Sequence, residues 1–214
     1  LDKVEDAMTF YLKAKDVLEN SQEYKLLGLM SEGLGNLNRK QKLFDAALIN
    51  FRTSLQFYSK MPDSLGISFA YRNIGRVFLY NEQLDSAYYY FDKALHIADI
   101  KKYPSVSSML LEVGVVHRSA GDYLGAESYF LSFIEQERNE NNLYSGYLAL
   151  GNLYLYMNRL EDAKMYLALC LKSPNLVIKR DACECLYDLE KELDNFKGAI
   201  GYKDIADSLR IITQ

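Results

Sequence analysis

The sequence has no long apolar run and little proline. No stretch of about 18 or more apolar residues occurs, so no segment is expected to cross a membrane as a helix. Only three prolines and 12 glycines are spread over 214 residues, and tryptophan is absent. Because proline and glycine interrupt helices, this scarcity, together with 49% hydrophobic residues, predicts an all-α chain with short turns and an ample core.

Residues that commonly carry catalysis or bind metals are also few. The two histidines, His96 and His117, stand in no HExxH or triad-like context. Cys183 and Cys185 are two positions apart on a predicted helix and therefore point to different faces, which is poor geometry for a shared metal. With Cys170 they are interpreted as buried small hydrophobes rather than a disulfide framework. No glycine-rich phosphate loop occurs. The sequence therefore predicts no catalytic residue, no metal site and no cofactor.

The charge balance is mildly acidic. The chain has 25 Lys and Arg against 29 Asp and Glu, a formal net charge of −4. Nucleic-acid-binding domains usually show a basic face and a high isoelectric point. We therefore expect no nucleic-acid binding by this segment. The 18 tyrosines are interpreted as half-buried residues with the ring inward and the hydroxyl toward water.

Small residues recur at a regular interval. Four glycines follow one another at 40, 39 and 37 residues: Gly35, Gly75, Gly114 and Gly151. An alanine stands 12 residues after each of them, at Ala47, Ala87, Ala126 and Ala163, and a further one, Ala199, lies 36 residues beyond the last. A large apolar residue comes four positions after each of the first four alanines, at Phe51, Phe91, Phe130 and Leu167. We expect these small residues to mark the contacts between paired amphipathic helices.

This spacing of glycine, alanine and large apolar residues resembles that of the tetratricopeptide repeat. The family places a small residue in its first helix, alanine at position 20 and an aromatic residue at position 24 of a unit of about 34 residues. The longer spacing here looks like an extended variety found in bacterial peptide-sensing regulators. The resemblance implies an all-α, right-handed superhelix of antiparallel helix hairpins. At position 27, Phe133 departs from the small residue of the pattern and should either push its neighbouring helices apart or be met by a compensating small residue.

The repeats divide the chain as a single domain over 1–214. The assigned segments are an orphan second helix at 1–20, repeats at 23–62, 63–102, 103–141 and 142–174, and a degenerate capping repeat at 175–214. Val4 and Ala7 are assigned to the packing face of the orphan helix, and Pro104 to the first turn of a later helix. Because the chain starts within a repeat, we expect it to be part of something longer and its open N-terminal half-repeat to allow self-association.

In this family the concave wall of the first helices binds partners. Carried over residue by residue, the resemblance implies that this groove includes Asn36, Phe69, Arg72, Arg76, Tyr80, Arg118, Asn152 and Tyr156. The arginines lead to the hypothesis that the groove captures an acidic, extended peptide, because arginine grips carboxylates through paired, charge-assisted hydrogen bonds. The alternative is that they only pair with Glu32 or Glu112. The chaperone-tail clamp of the family is incomplete, since Glu32 replaces its first lysine, so we expect no binding of chaperone tails.

The sequence thus predicts a non-enzymatic protein- or peptide-binding scaffold. One alternative is a ligand-sensing region of a larger, membrane-linked bacterial signalling or transcription regulator. Another is a peptide-responsive regulator that acts on a response-regulator partner. The compartment is not specified by any motif; a cell-envelope or periplasm-facing location is favoured over the cytoplasm by the resemblance alone.

Overall fold

The computed structural model describes residues 2–18, 22–103 and 106–213 of the chain. Pro104 and the side chains of Val4 and Ala7, to which the sequence assigns packing roles, lie outside this description. Within the described ranges the chain forms eleven α-helices and no strand: α1 Asp2–Leu18, α2 Tyr24–Lys40, α3 Phe44–Ser59, α4 Ser64–Tyr80, α5 Leu84–Ile100, α6 Val106–Ser119, α7 Tyr123–Gln136, α8 Glu140–Tyr156, α9 Leu160–Cys170, α10 Leu176–Glu192 and α11 Phe196–Thr213.

The helices pack as consecutive neighbours in two compact units. The first unit, residues 1–109, holds α1 to α5 and the first residues of α6, and the second, residues 110–214, holds the rest. In the first unit α2 packs on α3 and α4 on α5. In the second unit α8 packs on α9 and α10 on α11. In each of these pairs an amphipathic helix buries its apolar face against the next helix in the chain, as the helical hairpins of a repeat protein do.

A glycine on the first helix of each hairpin lies against a large residue on the second. A methyl group added at Gly35 would lie 2.6 Å from Phe51, and one at Gly114 would lie 2.5 Å from Phe130. Gly151 faces Leu167 in the same way, again at 2.6 Å, and all three large side chains are fully buried. Because these gaps are far below van der Waals contact, only glycine fits there without movement of the neighbouring side chain.

The same contact is looser at Gly75. A methyl group there would lie 3.1 Å from the ring of Phe91, about half an ångström farther than in the other hairpins. The recurring alanines fill the remaining close approach, since Ala47, Ala87 and Ala126 are all fully buried. The tightness of the helix–helix contact therefore varies along the chain although the residue pattern is the same.

The departure at Phe133 is met by a glycine. Phe133 is 2% exposed at the end of α7, and a methyl group added at Gly146 on α8 would lie 2.5 Å from its ring. Of the two alternatives that the sequence leaves open, the structure thus has the compensating small residue, Gly146, rather than a separation of the helices. The large side chain enters the space that the missing side chain on the neighbouring helix leaves open.

The turn within each hairpin has one repeated geometry. The N–H of Leu43 donates to the carbonyl of Asn38 at 2.9 Å, and the N–H of Lys42 donates to that of Arg39 at 3.0 Å. This hydrogen-bond pair ends a helix with a left-handed residue, which is commonly glycine. Here that residue has positive φ in every hairpin and is glycine only once among the described turns: Lys42, Glu82, Gly121, Asn158 and Asp194.

The last hairpin replaces the glycine contact by a polar one. Tyr187 stands where the earlier repeats have glycine, and Lys203 stands where they have Phe or Leu. The Lys203 ammonium lies 5.8 Å from the centroid of the Tyr187 ring, within cation–π range. A large residue on the first helix is thus accommodated by a slender, flexible one on the second.

An ion pair between a partly exposed lysine and a buried carboxylate joins this hairpin to the preceding helix. The Lys164 ammonium on α9 lies 2.7 Å from a carboxylate oxygen of Glu190, whose side chain is 3% exposed on α10. Asn195 donates to the other carboxylate oxygen at 2.5 Å. The hydrogen bond from Lys164 holds the pKa of Glu190 below its usual value.

The difference between the glycine contacts predicts a ranking of two variants. Gly114→Ala should destabilise the chain by about 1–3 kcal/mol, because the Phe130 ring is enclosed and has to move. Gly75→Ala should change the stability by less than about 1 kcal/mol, because the helix propensity gained by alanine offsets the milder crowding. Denaturant unfolding followed by circular dichroism measures both. A loss at position 75 equal to or larger than that at 114 would contradict the packing described.

The ion pair predicts a pH-dependent loss. At pH 7, Lys164→Met should cost about 1–3 kcal/mol, since the buried Glu190 carboxylate loses its charged donor. Glu190 has a depressed pKa in the folded chain, so its contribution is complete above its unfolded pKa of about 4.3 and disappears as the pH falls through the lower folded value. The gap in melting temperature between wild type and variant should therefore close below about pH 4. The exposed Lys197→Met is the control, and an unchanged gap at acid pH would refute the assignment.

Candidate peptide-binding surface

Four of the groove residues expected from the sequence follow one another on α4. Phe69, Arg72, Arg76 and Tyr80 are spaced by three, four and four residues, which places them along one face of the helix. The first three are half-buried, and the Tyr80 ring is 61% exposed. This face therefore combines two guanidinium groups with two aromatic rings, and its outer end is open to solvent.

The neighbouring Glu32 on α2 has partners of its own. It accepts a hydrogen bond from the Tyr58 hydroxyl at 3.2 Å and one from the Asn73 side-chain amide at 2.9 Å. Burial and the adjacent carboxylate raise the pKa of Tyr58, so the phenol remains a donor. Asn73 matches the clamp of chaperone-binding relatives in sequence, but its amide is directed to Glu32. This contact supports the expectation that chaperone tails do not bind, which stays a prediction.

Tyr80 is held at the end of α4 by two neighbours from the preceding hairpin. Its ring stacks near Phe44 with centroids 6.5 Å apart, and the guanidinium carbon of Arg39 lies 5.6 Å from its centroid. Asn36, the remaining candidate in this unit, is half-buried one turn before Lys40 on α2. An exposed tyrosine fixed in this way offers contact area with little conformational entropy left to lose.

The second unit holds the other three candidates. Arg118 is half-buried near the end of α6, and the Tyr156 ring is 67% exposed at the end of α8, 6.3 Å from that of Tyr123. Asn152 lies one turn before Tyr156, and its side-chain oxygen accepts from the Cys185 thiol at 2.9 Å. Arg118 therefore belongs to a different unit from Arg72 and Arg76, and their joint use in one groove stays a proposal.

One polar network in the second unit was not foreseen from the sequence. The Tyr154 hydroxyl donates to Glu127 at 2.7 Å, and Arg159 donates to the same carboxylate oxygen at 2.8 Å. The Arg159 guanidinium also lies 4.2 Å from the Tyr154 ring centroid and pairs with Asp162 at 2.7 Å. The only sequence signal would have been a tyrosine and an arginine five residues apart across the turn. Because its charges are paired within the chain, we interpret this network as a structural contact between α7 and α8.

In the described part of the chain, the side chains of His117 and of the cysteines make contacts that stabilise the fold. His117 Nδ1 lies 2.7 Å from Asp122, which also accepts from the N–H of Gly125 and so caps α7. Burial raises the pKa of the Cys170 thiol to about 12 and that of Cys185 to about 11. No group of three or more His, Cys, Asp or Glu residues in the described ranges could hold a metal ion. None of the described helices is long and apolar enough to cross a membrane.

Comparisons with known proteins give a family and a fold. Residues 26–100, from α2 to the end of α5, match the family model of the tetratricopeptide repeat. A curated relative, the uncharacterized protein ycf37 of Guillardia theta, is 25% identical over 126 residues, covering 59% of this chain and 67% of the relative.

Two solved structures show the similarity of fold. BtubC (BKLC) of P. vanneervenii superposes with a TM-score of 0.81 at 16% identity, covering 98% of this chain and 90% of that one. YrrB, a TPR protein with an unusual peptide-binding site, has a TM-score of 0.59 at 19% identity, covering 93% of this chain and 91% of its own. The resemblance seen in the sequence is confirmed: residues 26–100 match the tetratricopeptide repeat, and the chain has an all-α, solenoid-type fold of antiparallel helix hairpins.

Proposed function

We propose that this chain is a non-enzymatic scaffold that binds an extended, acidic segment of a partner protein along the first helices of its hairpins. The observation that carries the proposal is the face of α4, where Arg72 and Arg76 stand between Phe69 and Tyr80. Each guanidinium can bind a carboxylate through two parallel hydrogen bonds. The exposed Tyr80 ring can pack against the apolar parts of the same peptide, whereas Phe69 packs partly against the core cluster of Ala94, Ala98 and Met109.

The family supports binding rather than catalysis. Tetratricopeptide repeats serve as surfaces for protein and peptide partners, and α2 to α5 are the helices that the family model matches. The fold is similar to that of YrrB, which has a peptide-binding site. In the part of the chain that the structure describes, titratable side chains such as Asp122, Glu190 and Cys170 take part in a helix cap, an ion pair and buried packing, and these are roles that stabilise a scaffold.

The same two arginines allow one alternative to peptide binding. Arg72 and Arg76 could serve only to satisfy carboxylates of this chain, as the sequence alternative with Glu32 or Glu112 states. The Glu32 carboxylate accepts hydrogen bonds from Tyr58 and Asn73. Arg72, Arg76 and Glu112 also have contacts within the chain, so the carboxylates of a bound peptide would compete with these contacts for the two guanidinium groups.

Charge reversal tests the proposal. We expect Arg72→Glu with Arg76→Glu to abolish capture of Asp- and Glu-rich peptides on an array, because the variant face repels carboxylates, while the helical circular dichroism signal is retained. Arg52→Glu with Arg138→Glu changes the net charge equally at two exposed positions and is the matched control. Binding should also weaken as salt is raised. Equal capture by both variants, or no capture by the wild type anywhere on the array, would refute the proposal.

We also propose that a second copy of the chain covers the outer face of α1. The side chains of Phe10 and Val17 are 69% and 76% exposed there, and a recess of about 300 Å³ between α1 and α2 is lined by Phe10, Tyr11, Ala14 and Met30. A patch of this kind is costly to leave in water.

Sedimentation velocity over a range of concentrations tests this self-association. We expect a dimer that Phe10→Ser with Val17→Ser converts to a monomer. Ile211→Ser with Ile212→Ser, at the other end of the chain, alters two similarly exposed apolar residues and is the control. A wild type that stays monomeric at the highest concentration would exclude this contact.

A further inference from the structure

A basic, aromatic recess lies at one edge of the first unit, apart from the arginines of α4. It has a volume of about 220 Å³ and is lined by Arg39, Lys40, Lys42, Phe44 and Tyr80. These residues come from the end of α2, the turn that follows it, the start of α3 and the end of α4. Three cations and two aromatic rings thus meet in one small concavity, and none of its lining residues is acidic.

The Arg39 guanidinium lies beside an aromatic ring of this recess, and one of its N–H groups has no acceptor among the described residues. Its guanidinium carbon lies 5.6 Å from the Tyr80 ring centroid, and its Nε atom is buried without a hydrogen-bond partner among the described residues. A guanidinium group beside an aromatic ring can still use the N–H groups at the edge of its plane, and that edge is what binds a carboxylate.

The second unit supplies an internal comparison. There the rings of Tyr123 and Tyr156 lie 6.3 Å apart, much as Phe44 and Tyr80 lie 6.5 Å apart in the first. The positions equivalent to the three cations, counted from the glycine of the first helix, are Arg118, Ser119 and Gly121. The aromatic pair therefore belongs to the repeat geometry, whereas the cluster of three positive charges is a separate feature of the first unit.

We propose that this recess binds an acidic side chain of a partner peptide, together with the apolar side chain next to it. The carboxylate would lie between Arg39, Lys40 and Lys42, and the apolar neighbour against Phe44 and Tyr80. This inference rests on the proposed function and adds to it a second subsite of stated chemistry at the edge of the surface. The two aromatic walls call for an apolar group beside the anion, which inorganic phosphate lacks.

A nucleic-acid strand would also offer anions and rings, but the charges disfavour it. Strands bind through long basic tracks that neutralise many phosphates. The recess has three cations, and the chain as a whole carries a net charge of −4. A short acidic peptide needs only the local cluster.

The test variant removes charge without disturbing the turn. Lys42 has φ of 61°, so glycine is well suited to its place, and Lys40 is exposed at the last position of α2. Lys40→Gln with Lys42→Gly therefore deletes two charges and preserves the backbone. Lys101→Gln with Lys102→Gly is the matched control, because Lys102 has φ of 52° at another turn and Lys101 is likewise exposed.

The probe is a labelled, end-capped peptide, Glu-Glu-Phe-Asp-Glu, followed by fluorescence anisotropy. We expect the Lys40/Lys42 variant to bind it about tenfold or more weakly, as the loss of charge-assisted hydrogen bonds implies, and the control variant to bind within about twofold of wild type. A peptide with Gln and Asn for the acids, and one with Ser for Phe, should each bind more weakly than the probe.

Three outcomes would overturn the inference. They are no binding of the probe by the wild type, equal weakening in both double variants, and an oligothymidylate or inorganic phosphate that binds as well as the peptide. If the array of acidic peptides is captured and the capture depends on Arg72 and Arg76 but not on Lys40 and Lys42, the proposed function stands and this subsite alone is wrong. If the wild type captures nothing on the array, the proposed function itself fails.

Discussion

The fold depends on a close approach between paired helices that a single missing side chain permits. Where Gly35 and Gly114 face Phe51 and Phe130, the rings occupy space that any Cβ atom would take. The large residues are then fully buried, and the helix faces on either side align with the next hairpin. Burial of a phenylalanine of this kind contributes about 1.5–3 kcal/mol relative to exposure. Repetition of this contact thus holds together the hairpins that carry the glycine, whereas the last hairpin uses the contact of Tyr187 with Lys203 in its place.

The proposed function depends on the side chains that this packing leaves on the surface. Small residues turn inward at fixed intervals, so the long polar and aromatic side chains between them line up on the opposite faces. On α4 these are Arg72 and Arg76 with aromatic neighbours, and at the edge of the same unit they are the cations around Tyr80. Since the scaffold is stabilised elsewhere, its surface can change in charge from repeat to repeat. The contrast between Lys40 and Lys42 in the first unit and Ser119 and Gly121 in the second illustrates this freedom.

The periodic part of the structure could be predicted from the sequence, and the pairwise polar contacts could not. The spacing of glycine, alanine and large apolar residues indicates helix pairing. At the exception, Phe133, the sequence left open whether the helices separate or a small residue compensates, and the structure has a small residue, Gly146. The contacts of Glu32 with Asn73 and of Lys164 with Glu190 depend on rotamers and on the offset between successive hairpins. A linear sequence does not specify those quantities. The replacement of glycine by Tyr187 was visible, but its cation–π contact with Lys203 was not.

The most direct measurement of the central claim is a set of proton–proton contacts in solution. Nuclear Overhauser spectra should show the Hα protons of Gly35 and Gly114 close to the ring protons of Phe51 and Phe130, with Hα resonances shifted by the ring currents. The spectra of a chain selectively labelled at glycine and phenylalanine would resolve these pairs. Glycine Hα resonances at random-coil positions without any contact to the rings would contradict the account.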